Sequence, residues 1–140
     1  MSTSRRDSER LREARRWLRY AEEDLLLAEA IAADPSRIPR HACYAAQQAA
    51  EKALKAGLVY LQIKFPRQHD LDGLQNLFPA NWSAVQSMPP LAPLTHWAIE
   101  ARYPGDLPDA TVGDAETAVS SARTVYETIV GDLEALGFRR

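Results

Sequence analysis

A helical repeat of apolar residues runs through the first quarter of the chain and restricts the folds open to it. Apolar side chains recur there at spacings of three and four between Ser8 and about Ala33, which is the period of one face of an α-helix. The Asp34-Pro35-Ser36 segment ends this pattern, because proline lacks an amide donor and disfavours helical geometry in the residue before it. The sequence therefore predicts a long amphipathic helix in this segment.

Two further long segments have the same apolar period. The second helix is predicted to begin near Pro39 or Arg40 and to end at about Gln62. The last helix is predicted from about Val112 to Leu136. Three amphipathic helices of this length can bury their apolar faces against one another, which favours an antiparallel bundle.

Two shorter helices are predicted between the second and the last long helix. Asp70 is well placed to cap the first of them, because its carboxylate can accept hydrogen bonds from the free amides of a first turn. Prolines introduce the other, which should end before Pro104. No segment alternates with the period of two that a half-buried strand requires. We therefore predict a single all-α domain over residues 1–140, an antiparallel up-and-down bundle of three long helices and two shorter ones.

Composition indicates the compartment and excludes several kinds of site. Cys43 is the only cysteine, so no intramolecular disulfide can form, and no Cys/His cluster has the spacing of a zinc site. No run approaches the roughly 18 apolar residues of a membrane span, and the N-terminal residues lack the apolar core of a secretory signal. We therefore expect a cytoplasmic protein with no membrane partner, no metal and no cofactor.

Charge is distributed unevenly along the chain. Residues 1–67 contain 13 Lys and Arg against 9 Asp and Glu, whereas residues 68–140 contain 4 against 10. The first predicted helix supplies most of the basic excess through Arg5, Arg6, Arg10, Arg12, Arg15, Arg16 and Arg19. This distribution is compatible with a phosphate-facing surface, and solvated helix charge is the simpler alternative.

Polar residues occupy one side of the second predicted helix, which is otherwise rich in alanine. At about 100° per residue they fall within an arc of about 140°. They are Gln47, Gln48, Glu51, Lys52 and Lys55. One alternative is a solvated face with an ion pair between residues four apart. The other is a surface for a partner or a nucleotide, because glutamines donate and accept hydrogen bonds and lysines bind phosphate or carboxylate.

Four segments together resemble the HEPN domain family, in an order that extends from Trp17 to Pro104. They are WLRYAEEDLLLAEA in the first helix, CYAAQQAAEKALKA in the second, RQHDLDGL in the linker and EARYP before the last loop. The resemblance implies a HEPN-like up-and-down bundle that commonly dimerises. It also implies a possible minimal nucleotidyltransferase partner, with which many members form a two-component module, in several cases of toxin–antitoxin type.

Family members with ribonuclease activity have an arginine followed, after four to six residues, by a histidine. The histidine can act as general acid or base on a 2′-hydroxyl while the arginine stabilises the charged phosphate. The histidines here are His41, His69 and His96, and none follows an arginine at that interval. We therefore assign no catalytic residue, and whether the protein is an enzyme stays open.

The function expected from these observations is an interaction module associated with nucleotide or RNA. The resemblance implies that it acts as a homodimer, for which the first and last helices are the expected interface, and with a nucleotidyltransferase partner. The alternative is a metal-independent ribonuclease toxin with a non-standard catalytic set. The predicted ligand or partner surface consists of Gln48, Lys52, Lys55, His69 and Arg102.

Overall fold

The computed structural model describes residues 4–67 and 69–140, which form three long helices and four short helical segments. The long helices are α1 (Arg5–Ala32), α2 (Pro39–Tyr60) and α7 (Val112–Ala135), and the short segments are α3 (Leu71–Gln75), α4 (Ser83–Gln86), α5 (Ala92–Thr95) and α6 (Trp97–Glu100). None of these helices is long and apolar enough to cross a membrane. The described residues contain no strand, so the predicted all-α bundle is confirmed.

The region between α2 and α7 differs in detail from the two short helices that the sequence predicts. α3 corresponds to the first of them, whereas α5 and α6 divide the second at His96. α4 is additional and begins directly after the buried Trp82. A helix of four residues contains little more than one turn, so it produces no apolar repeat that a sequence could reveal.

Local capping interactions define where the helices begin. The Asp70 carboxylate accepts a hydrogen bond at 3.1 Å from the amide two residues later, as the sequence predicts for the start of α3. Thr111 and Asp114 form a reciprocal capping box at the start of α7. Pro39 occupies the first turn of α2, where its missing amide hydrogen leaves no helical bond unmade.

The core lies where α2 packs against α1 and α7, and α2 contributes mostly small side chains to it. Its buried apolar residues are Ala42, Cys43, Ala45, Ala46, Ala49, Ala50, Ala53, Leu54, Ala56 and Leu58. Gly57 allows the closest approach, because a Cβ added there would lie 2.8 Å from a ring carbon of Phe78. Small residues on this side of α2 thus let the neighbouring elements pack tightly around it.

Candidate functional site

The polar side of α2 divides into a buried part and an open part. Gln47 and Glu51 are buried, whereas Gln48, Lys52 and Lys55 stay partly exposed. Gln47 and Glu51 are buried because the linker after α2 folds back over this side of the helix. The sequence pattern leaves two alternatives for these residues, a solvated face and a partner surface. Because Gln47 and Glu51 are buried, neither alternative describes them.

A network of hydrogen bonds surrounds the Glu51 carboxylate. Its Oε1 lies 2.8 Å from Nδ1 of His69 and accepts from Nε2 of Gln47 at 3.2 Å. Its Oε2 accepts from Nζ of Lys55 at 3.0 Å. Gln47 Nε2 also donates to the His69 carbonyl at 3.3 Å, and Gln48 Nε2 donates to Gln47 Oε1 at 2.7 Å. These five residues, which we call the Glu51 network, attach the linker to α2.

Burial and hydrogen bonding have opposite effects on the Glu51 carboxyl group. Burial raises its pKa by disfavouring the charged form, but hydrogen bonds from His69, Lys55 and Gln47 favour that form and lower the pKa below its ordinary value of 4.5. Glu51 is therefore a carboxylate at neutral pH. Its charge favours a proton on Nδ1 of His69, which directs the other ring nitrogen away from Glu51, and the His69 side chain is 53% exposed.

Lys52 lies outside the Glu51 network and pairs with α1. Its Nζ donates to Oδ2 of Asp24 at 2.6 Å. Beside this ion pair a cleft of about 480 Å³ opens between α1 and α2. The cleft is lined by Asp24, Leu27, Ile31, His41, Tyr44, Ala45, Gln48 and Lys52. Two of the predicted site residues, Gln48 and Lys52, thus lie at the same opening.

Arg102 contacts α2 from the residues that follow α6. Its guanidinium carbon lies 5.6 Å from the centroid of the Tyr44 ring and 5.1 Å from that of Tyr103. Its Nη2 donates to the Tyr103 hydroxyl at 2.7 Å, and this hydrogen bond together with nearby Tyr44 raises the pKa of Arg102 above its ordinary value. Arg102 also lines a second cleft, of about 310 Å³, with Arg40 and Trp97. Tyr44 lines the first cleft, and its contact with Arg102 connects that cleft to the second.

The predicted site residues thus fall into three groups. Gln48, Lys55 and His69 belong to the Glu51 network, Lys52 pairs with α1, and Arg102 lies over Tyr44. The Glu51–Lys55 pair is visible in the sequence from its four-residue spacing, but nothing local reveals that it is buried.

Sequence reasoning missed the role of Arg40, which lines the same cleft as Arg102. Its position at the start of α2, one turn before Tyr44, is the only local signal that could have indicated it. Within residues 4–67 and 69–140, no group of three or more His, Cys, Asp or Glu side chains could hold a metal ion. The surface beside α2 combines cations, amides and aromatic rings with the carboxylates of Asp24 and Glu51.

The helical architecture and this surface define the class of protein: a small helical bundle with a cationic and aromatic surface beside its second long helix. The model of the HEPN domain family matches residues 14–133. The chain belongs to the HEPN domain family, as its four characteristic segments indicate, and is a helical module related to nucleotides or RNA.

A solved structure supports the same architecture. The crystal structure of TT1696 from Thermus thermophilus is similar to this chain with a TM-score of 0.71 and 27% sequence identity. The similarity covers 86% of this chain and 98% of that one. No curated protein matches the chain. The shared fold therefore includes most of both proteins.

Proposed function

We propose that this HEPN-domain protein is an interaction module that binds the phosphate of a nucleotide or of RNA beside Tyr44. The observation that carries the proposal is the exposed guanidinium of Arg102, close to the rings of Tyr44 and Tyr103 at a cleft that Arg40 also lines. A guanidinium can bind phosphate through two parallel hydrogen bonds, and an aromatic ring can stack on a base.

The chemistry of the Arg102 cleft fits a nucleotide. Its volume of about 310 Å³ lies at the lower end of the range for small-molecule sites. Arg40 and Arg102 supply cations for a phosphate, and Glu100 and Asp109 supply acceptors for hydroxyl or amino groups. The adjoining Gln48 and Lys52 would extend the same surface toward α1.

A titration tests this ligand assignment. ATP and GTP should bind saturably in isothermal calorimetry, and Arg102→Ala should weaken binding about tenfold, as expected for loss of one charge-assisted contact. Arg5→Ala is the matched control, because Arg5 is a highly exposed arginine at the start of α1. An absence of saturable binding, or equal weakening by the two substitutions, would contradict the proposal.

In this proposal the module acts as a homodimer and with a minimal nucleotidyltransferase, in a two-component system of toxin–antitoxin type. Family membership and the exposed apolar side chains Leu26 and Leu27 on α1 support it. Light scattering should give twice the mass of one chain, and co-expression with a nucleotidyltransferase from the neighbouring reading frame should give a joint peak. A monomer that elutes alone would contradict this assembly.

The alternative function is a metal-independent ribonuclease, and one contact favours it. Glu51 holds His69 with its second ring nitrogen available, and a histidine oriented by a carboxylate can act as a general base. Purified protein should then degrade RNA in the presence of EDTA, and both His69→Ala and Glu51→Gln should abolish the degradation. Cleavage that survives His69→Ala would exclude His69 as the base.

A further inference from the structure

A second group of aromatic rings and cations lies where α1 meets α2, and it shares Lys52 and Lys55 with the surface described above. Tyr20 is 42% exposed, with the Arg19 guanidinium 5.3 Å and the Lys52 Nζ 5.9 Å from its ring centroid. These distances lie within the roughly 6 Å over which a cation and a ring attract each other. Tyr20 therefore presents a partly exposed ring with two positively charged side chains nearby.

The rings continue toward the end of α2. Trp17 lies one turn before Tyr20, and the Lys55 Nζ is 5.6 Å from its ring centroid. Phe65 meets Trp17 edge to face at 6.4 Å and is 5.5 Å from the same Lys55 Nζ. Tyr20, Trp17 and Phe65 thus form a row along the line where α1 meets α2, which we call the aromatic seam.

Two arginines adjoin the aromatic seam, Arg16 in the cleft with Trp17 and Tyr20 and Arg19 beside the Tyr20 ring, and Arg12 lies one turn before Arg16. Arg12, Arg16 and Arg19 are exposed and, at spacings of four and three, lie on one side of α1. No carboxylate of the described residues lies within 4.0 Å of their guanidinium nitrogens. Lys52 and Lys55, by contrast, are paired with carboxylates. Without a carboxylate partner among the described residues, these arginines can bind an anion.

The shape of the aromatic seam favours a strand over a small molecule. The cleft that Arg16, Trp17 and Tyr20 share with Glu13 has a volume of about 180 Å³, which is below the roughly 300 Å³ of the smallest usual ligand sites. A single strand needs no enclosing pocket, because it binds through cations along its backbone and rings that stack on its bases. A duplex would leave the rings unused, since its bases are already stacked.

We propose that the aromatic seam binds single-stranded nucleic acid, with phosphates at Arg12, Arg16 and Arg19 and bases on Tyr20 and Trp17. The inference rests on the proposed function and deepens it, because it names a strand as the ligand and adds the exposed side of α1 to the binding surface. The strand would pass Lys52 on its way to the cleft beside Tyr44, so one ligand could occupy both surfaces.

Fluorescence anisotropy with labelled single strands of about 12 nucleotides tests the inference. Arg16→Gln/Arg19→Gln should weaken RNA binding at least about tenfold and reduce the salt dependence measured between about 50 mM and 200 mM. The control is Arg5→Gln/Arg37→Gln, which removes the same charge from two other exposed arginines. Equal weakening by the two double variants would overturn the inference, because it would show attraction to net charge alone.

Substitutions of Tyr20 test the stacking step. Tyr20→Ala should weaken binding of the single strand about tenfold, whereas Tyr20→Phe should preserve binding because the ring remains. Single strands of RNA and DNA distinguish the two sources of the ligand, and preference for either supports the inference. Equal affinity for a duplex, or no effect of Tyr20→Ala, would overturn it.

The outcomes separate this inference from the proposed function. RNA binding that survives Arg16→Gln/Arg19→Gln but falls in Arg102→Ala would overturn the aromatic seam alone. Saturable ATP binding without binding of either single strand, RNA or DNA, would do the same. Failure of ATP and of both single strands to bind would overturn the seam and the proposed function together.

Discussion

Two lysine–carboxylate pairs on the polar side of α2 differ in their surroundings. In the inner pair the Lys55 and Glu51 side chains are 12% and 6% exposed, and His69 and Gln47 add hydrogen bonds to Glu51. In the outer pair the Lys52 and Asp24 side chains are 23% and 24% exposed. A buried charge that loses its partner destabilises a protein far more than an exposed one does. The two pairs use lysines one turn apart on α2 but differ in how far water is excluded from them, so losing a partner should cost more in the inner pair than in the outer one.

Removing Glu51 should produce the largest effect and is the strongest test of this difference. Glu51→Ala leaves the largely covered Lys55 ammonium without its carboxylate and removes the partner of Gln47 and His69, so we expect the free energy of unfolding to fall by about 3–5 kcal/mol. Urea denaturation measures the loss. Replacing both partners, as in Glu51→Gln/Lys55→Met, should restore much of it. A loss no greater than that of Lys52→Ala would remove the distinction between the pairs.

The apolar side of α2 provides a reference for these changes in the free energy of unfolding. Gly57→Ala places a methyl group against the ring of Phe78, so we expect a loss of about 1–3 kcal/mol from overpacking. The matched control is Gly131→Ala on the exposed side of α7, where nothing lies within 4 Å, and the better helix propensity of alanine should stabilise by up to about 1 kcal/mol. Thermal unfolding compares the two, and stabilisation by Gly57→Ala would show that Phe78 moves freely.

Acid should weaken the inner pair in a defined range of pH. Because the folded protein lowers the pKa of Glu51, the stability that this carboxylate contributes is fully present above its ordinary value of 4.5 and is lost as pH falls through the lower folded value. Each unit of pKa shift corresponds to about 1.4 kcal/mol. Unfolding free energies measured from about pH 7 to about pH 3 should therefore decline less steeply in Glu51→Gln than in the wild type. Parallel curves would contradict the lowered pKa.

The outer pair should give the smallest change. Lys52→Ala and Asp24→Asn are each expected to reduce the free energy of unfolding by about 1 kcal/mol or less, with a coupling energy of similar size in a double-mutant cycle. Chemical denaturation of the four proteins measures the coupling. A coupling above about 2 kcal/mol would make the outer pair a structural element and would end its contrast with the inner pair.

Helix positions were largely predictable because their signals are local. The second helix was expected near Pro39 or Arg40 to about Gln62 and spans Pro39–Tyr60, and the last was expected from about Val112 to Leu136 and spans Val112–Ala135. Periodicity, prolines and caps act within a few residues, so a sequence displays them directly. Cys43 is buried within α2, and burial raises the pKa of its thiol to about 12.

The candidate site was predictable only in part. The arc of polar residues follows from helix geometry, but burial within that arc depends on the path of the linker after α2. His69 meets Glu51 from 18 residues away, and Lys52 meets Asp24 from 28 residues away. Arg102 meets Tyr44 across an even longer separation. Such pairings depend on how the elements pack, and no spacing within one helix reveals them.

The sequence by itself determined that this HEPN-domain chain forms long helices, which side of α2 is dry, and that the family ribonuclease motif is absent. Only the tertiary structure decided which polar residues of α2 became a buried ionic network and which remained at open clefts. The physical reason is desolvation: a charged side chain becomes structural when another segment excludes water from it, and the covering segment is distant in sequence.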